Sequence, residues 1–140
     1  MRIVFDASVI VGAAFKVDGI PRRALLLARE RHTIALSTPV LDEIAEVLGR
    51  GKFAGILTAD RRAEILELLT AAAAWFEPEV RVLDCRDAKD NKYLELAAAA
   101  GAGVLVSSDD DLLVLHPWRG IRILRPRDFL AAAEGEGDGA

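Results

Sequence analysis

A chain of 140 residues, 52% hydrophobic and 29% charged, has the size and composition of one globular domain. Its single cysteine, Cys85, excludes an intramolecular disulfide and fits a reducing, cytoplasmic setting, and no apolar run reaches the roughly 18 residues that a membrane-spanning helix needs. The net charge of −4 argues against a reader of duplex grooves, but not against a nuclease whose metal ions neutralise its own acids.

In chain order, Arg-Ile-Val-Phe at 2–5 predicts a strand ending at Asp6. Asp6 also interrupts the apolar N-terminal run, which makes it a poor export signal. Val9, Ile10, Val11, Ala13 and Ala14 predict a buried helix broken near Gly19. Pro21 suits a first helical turn, and Ala24, Leu25, Leu27 and Ala28 recur at helical spacing up to Arg31. Residues 33–36 predict a second strand. Thr38 reads as an N-cap before Pro39, opening a helix through Ile44 and Leu48 that stops at Gly49 or Gly51. After a connector to Leu57, residues 59–76 predict a long helix closed by Pro78, and 80–83 a short strand.

The stretch Asp87 to Leu113, DAKDNKYLELAAAAGAGVLVSSDDDLL, organises the rest. It predicts a helix, a turn at Gly101 and Gly103, a buried strand over Val104–Val106 and an acidic loop. A short helix around 111–115, a strand at 121–124 and a helix from Pro126 follow. The composition of 133–140 predicts a disordered tail after one domain at 1–132. Strands alternating with helices make the fold class α/β, three-layer α/β/α with a central parallel sheet, Rossmann-like.

Asp6 and Asp109 follow strands directly, Glu43 lies early in the helix after the second strand, and Asp87 and Asp90 open the helix that leads to Gly101. In such a sheet ligands bind outside the carboxyl ends of the strands, so four segments send carboxylates toward one rim. Hard divalent cations such as Mg²⁺ take oxygen ligands and accept phosphate oxygens. Taken singly, Asp6, Asp87, Asp90 and Asp109 also read as helix caps and Glu43 as a solvated helix residue; taken jointly, they read as a metal site. His32 and His116 have no second ligand nearby in sequence, and no glycine-rich phosphate loop, nucleophile elbow or zinc spacing occurs.

The pieces IVFDASVIVGA, STPVLDEIAEVL, DAKDNKYLELAAAAGAGVLVSSDDDLL and GIRILRPRDFL, in this order, resemble the PIN-domain ribonucleases, especially their VapC-like branch of toxins from toxin–antitoxin pairs. The resemblance covers most of residues 1–130. It implies that Asp6, Glu43, Asp90 and Asp109 form an acidic quartet binding Mg²⁺ or Mn²⁺. Asp87 and Asp111 match further acidic positions, and Ser8 the small polar residue near the first acid. Asn91 stands where many relatives carry another acid and Ser108 where many carry glycine; neither removes a quartet member.

The expected activity is therefore metal-dependent RNA hydrolysis by a toxin with a cognate antitoxin. Asp6, Asp90 and Asp109 would be ligands, and Glu43 would ligate or orient the attacking water. Arg22, Arg23, Arg50 and Lys52 are candidate phosphate contacts, each also readable as a solvated charge. The alternative is a PIN-fold RNA- or protein-binding module with weak or no catalysis; calorimetry with Mg²⁺ or Mn²⁺ discriminates the two. An aspartyl-phosphate phosphatase is set aside, because Ser8 stands where its second acid belongs. The apolar faces at 21–31 and 59–76, together with the resemblance, predict a homodimer.

Overall fold

A computed structural model describes the backbone of residues 1–138 and the side chains of residues 1–135. Five parallel strands make one sheet in the order β3-β2-β1-β4-β5, where β1 is Arg2–Phe5, β2 Thr33–Leu36, β3 Ala74–Trp75, β4 Val104–Val106 and β5 Arg122–Leu124. β1 is central. Ile3, Val4 and Phe5 are all buried, as are all three residues of β4. Continuous burial, rather than alternation, is what a parallel strand covered on both faces requires.

The expected three-layer α/β/α architecture is present. Helix α5, Asn91–Ala100, lies across β1, β2 and β4 and touches α3, Thr38–Leu48. A second group comprises α1, Ala7–Phe15, α2, Ile20–Arg31, α4, Ala59–Thr70, and α7, Pro126–Asp138, with α2 in contact with the other three; the short α6, Asp110–Leu113, follows β4. Phe5 of β1 meets Phe129 of α7 edge to face, with centroids 6.4 Å apart. α5 ends at Gly101, whose φ of 60° lies in the left-handed region that glycine enters without steric cost.

Four expectations need correction. Residues 80–83 form no strand; the edge strand is Ala74–Trp75, and α4 stops at Thr70 instead of running to residue 76. Pairing of Ala74 and Trp75 with Ala35 and Leu36 overrides the helical propensity of the alanines before them. Ser37, not Thr38, caps α3: its Oγ accepts from the Val40 N–H at 3.3 Å. At the end of the chain α7 continues through Ala131, Ala132 and Ala133 to Asp138, beyond the expected boundary at 132, while the last two residues of the expected tail, 139 and 140, lie outside the described residues.

Candidate active site

The cleft at the carboxyl rim of the sheet is built from β1 outward. β1 and β4 pair with Phe5 opposite Val106, so the residues immediately after them, Asp6 and Ser107, stand level. Asp6 is 3% exposed, and its carboxylate accepts from Ser8 Oγ at 2.6 Å, from the Val9 N–H at 3.1 Å and from Ser107 Oγ. Ser107 in turn accepts from the Asp109 N–H at 2.9 Å, coupling two of the cleft acids through one hydroxyl. The capping role of Asp6 for α1 and its place in the cleft are one geometry.

Glu43 is held from α5. Its Oε1 accepts from the Tyr93 hydroxyl at 2.6 Å, and its Oε2 pairs with Lys92. The same tyrosine oxygen accepts from the Ala7 N–H at 3.2 Å, so Tyr93, 1% exposed, ties Glu43 to the backbone next to Asp6. Burial and the Glu43 carboxylate push the Tyr93 hydroxyl up, which keeps it a donor. Replacement of Tyr93 by Phe removes this tether with little change of shape. It is expected to cost about 1 kcal/mol in urea unfolding. Any turnover that depends on Glu43 should fall roughly tenfold in kcat, with KM within about twofold.

Asp90 differs from the other acids. Asp6, Asp87 and Asp109 each accept a nearby backbone N–H, from Val9, Lys89 and Asp111. Asp90 caps nothing, and its Oδ2 is buried without a hydrogen-bond partner. Its pKa is raised to about 7, first by burial, then by hydrogen bonding to Asp109 and by the charges of Asp109, Asp87 and Glu43. Asp6 is also shifted upward, mainly by burial, against the opposing effect of its three donors.

Asp6, Ser8, Glu43, Asp90 and Asp109 thus line one cleft of about 210 Å³, together with Tyr93, Arg50 and Lys89. Asp87 and Asp111 stand behind it: the Asp87 charge acts on Asp90, and the Asp111 N–H donates to Asp109 Oδ1 at 2.9 Å. Asn91 is structural, its Oδ1 accepting from the Cys85 N–H at 2.8 Å. Among the four candidate phosphate contacts, Arg50 alone lines the cleft. Arg22 is buried against Glu64, Arg23 faces Glu134, and Lys52 lies over the Phe53 ring. Among the described residues no three His, Cys, Asp or Glu groups make a ready-made metal cage. Mg²⁺ does not need one, since it binds through one or two carboxylates plus waters and substrate phosphates. Two apposed carboxylates, one with an unsatisfied buried oxygen, fit that donor chemistry.

Sequence reasoning missed Ser107, Tyr93, Lys92 and Lys89. Ser107 was within reach of it, because the first residue after one central strand faces the first residue after its neighbour.

Residues 2–111 match the family model described as PIN domain, and the chain belongs to that family. The match spans all four acids of the cleft. A similar protein is the uncharacterized MJ1680 of Methanocaldococcus jannaschii, 29% identical over 120 residues that cover 83% of this chain and 76% of that one. The fold is similar to that of PAE2754 from Pyrobaculum aerophilum, with a TM-score of 0.60 at 20% identity over 96% of this chain and 90% of the other. It is also similar to VapBC2 from Rickettsia felis, a structure bound to a DNA fragment from their promoter, with a TM-score of 0.60 at 15% identity over 88% of this chain and 97% of the matched one.

Proposed function

We propose that the chain is a Mg²⁺- or Mn²⁺-dependent endoribonuclease and the toxin of a toxin–antitoxin pair in the cytoplasm. Membership of the PIN family supports a nuclease, and the likeness to VapBC2 supports a partner antitoxin. The observation that carries the reading is the buried, unpartnered Oδ2 of Asp90 in a cleft that also holds Asp6, Glu43 and Asp109. Asp6, Asp90 and Asp109 would hold the cation. When bound, the ion offsets the charge of the scissile phosphate and makes nearby water more acidic. Glu43, fixed by Tyr93 and Lys92, keeps free lone pairs on both oxygens and orients the attacking water, accepting its proton. Arg50 and Lys89 at the rim steady the phosphate, and the buried Ser107 keeps Asp6 and Asp109 in register.

The test is cleavage of single-stranded RNA by the purified chain with Mg²⁺, with Mn²⁺ and with EDTA. Cutting that requires either metal supports the proposal. Cutting that survives EDTA contradicts the metal role, and calorimetric metal binding without any cutting favours the binding-module reading.

The homodimer belongs to the same proposal. Val17, Ile20, Leu26 and Ile56 are 54, 40, 40 and 63% exposed, on or before α2 and before α4, and supply apolar surface for a second copy. Sedimentation at tens of micromolar should give twice the 15.1 kDa chain mass; a species of 15.1 kDa alone would contradict it.

A further inference from the structure

We infer that the groove walled by Arg81, Lys89 and Lys92 is a second phosphate-binding subsite, carrying the single-stranded RNA backbone onward from the scissile position; this rests on the ribonuclease reading above. The groove, of about 260 Å³, runs between residues 81–83 and the first turns of α5. Lys89 lines both it and the catalytic cleft. Lys92, on the groove wall, pairs with Glu43 on the cleft wall, so the two hollows share a partition. A strand seated with one phosphate over the acids has this groove as its immediate continuation.

Charge points the same way. Three cations line the groove with one carboxylate, Glu95, whose Oε2 already accepts from the Val82 N–H at 2.8 Å; Lys89 pairs with Asp87 at 3.8 Å and Lys92 with Glu43. Among the described residues Arg81 makes no ion pair, which leaves its guanidinium for an incoming anion. Leu83, 79% exposed on the same wall, offers an apolar surface to a base. The wall is preformed: Val82 is buried, and the bond from the Cys85 N–H to Asn91 pins the segment to α5.

Arg81→Glu tests the assignment, with fluorescence anisotropy of a labelled twelve-nucleotide RNA in EDTA as one readout and cleavage kinetics on the same RNA as the other. The expected result is a Kd and a KM raised tenfold or more, with kcat within twofold. The slope of log Kd against log salt should shrink by about one, and Arg81→Lys should restore both constants. Equal Kd and equal salt slope in wild type and Arg81→Glu would overturn the subsite. If wild type binds the RNA and Arg81→Glu does not, yet no metal supports cutting, the groove stands and the ribonuclease reading falls. If wild type binds no RNA, both fall.

Discussion

Replacement of Asp90 by Asn is expected to abolish RNA cleavage and yet raise the melting temperature of the metal-free protein. The loss of activity, at least about a hundredfold, follows from removing the carboxylate that faces Asp109. Asp6→Asn, Glu43→Gln and Asp109→Asn should be similarly inactive. The gain in stability follows from the pKa of about 7 at Asp90. A pKa raised on folding means that the folded protein holds the proton more tightly than the unfolded chain. The resulting stabilisation is complete below the unfolded value, about 3.9, and is lost as pH rises through about 7. At pH 8 Asp90→Asn should therefore melt about 3 °C or more above the wild type, and at pH 5 the gap should be smaller. Mn²⁺ at a hundredfold excess over its Kd should stabilise the wild type by about 2.7 kcal/mol and the variant far less. Thermal melts with EDTA and with Mn²⁺ at both pH values measure all of this. Equal metal shifts in the two proteins would remove Asp90 from the metal site.

Ser107→Ala is the second large effect. The substitution takes a donor from Asp6 and an acceptor from the Asp109 N–H in one step. Stability should fall by about 1–3 kcal/mol, because buried polar groups are left short of partners. Affinity for Mn²⁺ should drop by about tenfold to a hundredfold, as for other groups that orient a ligand without touching the ion. The pH dependence has a definite sign. The Ser107 hydroxyl lowers the Asp6 pKa against burial, so removing it raises that pKa further. The destabilisation must then be larger at pH 8 than at pH 5, and urea midpoints at the two pH values read the difference. A deficit that is constant with pH would mean that Ser107 supports only the backbone.

How far the sequence discloses this site depends on how local each signal is. Asp6 and Asp109 are legible because the strand Arg2–Phe5 ends immediately before the first and the strand Val104–Val106 ends three residues before the second. Asp90 is legible from its spacing to Asp87, although no strand at 80–83 leads into its helix. Tyr93 and Lys92 are not legible, since a tyrosine and a lysine in a helix ordinarily fill a core and face solvent. Only the contact of α5 with α3 turns them onto Glu43. Arg22 and Arg23 show the converse failure. Their sequence neighbourhood places them near the rim, but α2 turns them to Glu64 and Glu134. The third strand lies elsewhere than the sequence predicts for a related reason: edge pairing with β2, a long-range contact, selects Ala74–Trp75 over the more β-prone run that follows.

The hydroxyl of Ser107 reaches Asp6 across 101 residues of sequence, and the Tyr93 hydroxyl reaches Glu43 across 50. During synthesis, then, a ribosome must release more than three-quarters of this chain before the cleft can close around anything. The β1–β4 pairing that brings the two ends of the site together is parallel and non-local, which makes it a slow event in folding. Nascent or prematurely terminated products ending before Ser107 have Asp6 and Glu43 but no Asp109 to face them. A chain whose finished form attacks RNA would in this way be harmless to the messenger and ribosome that are still making it.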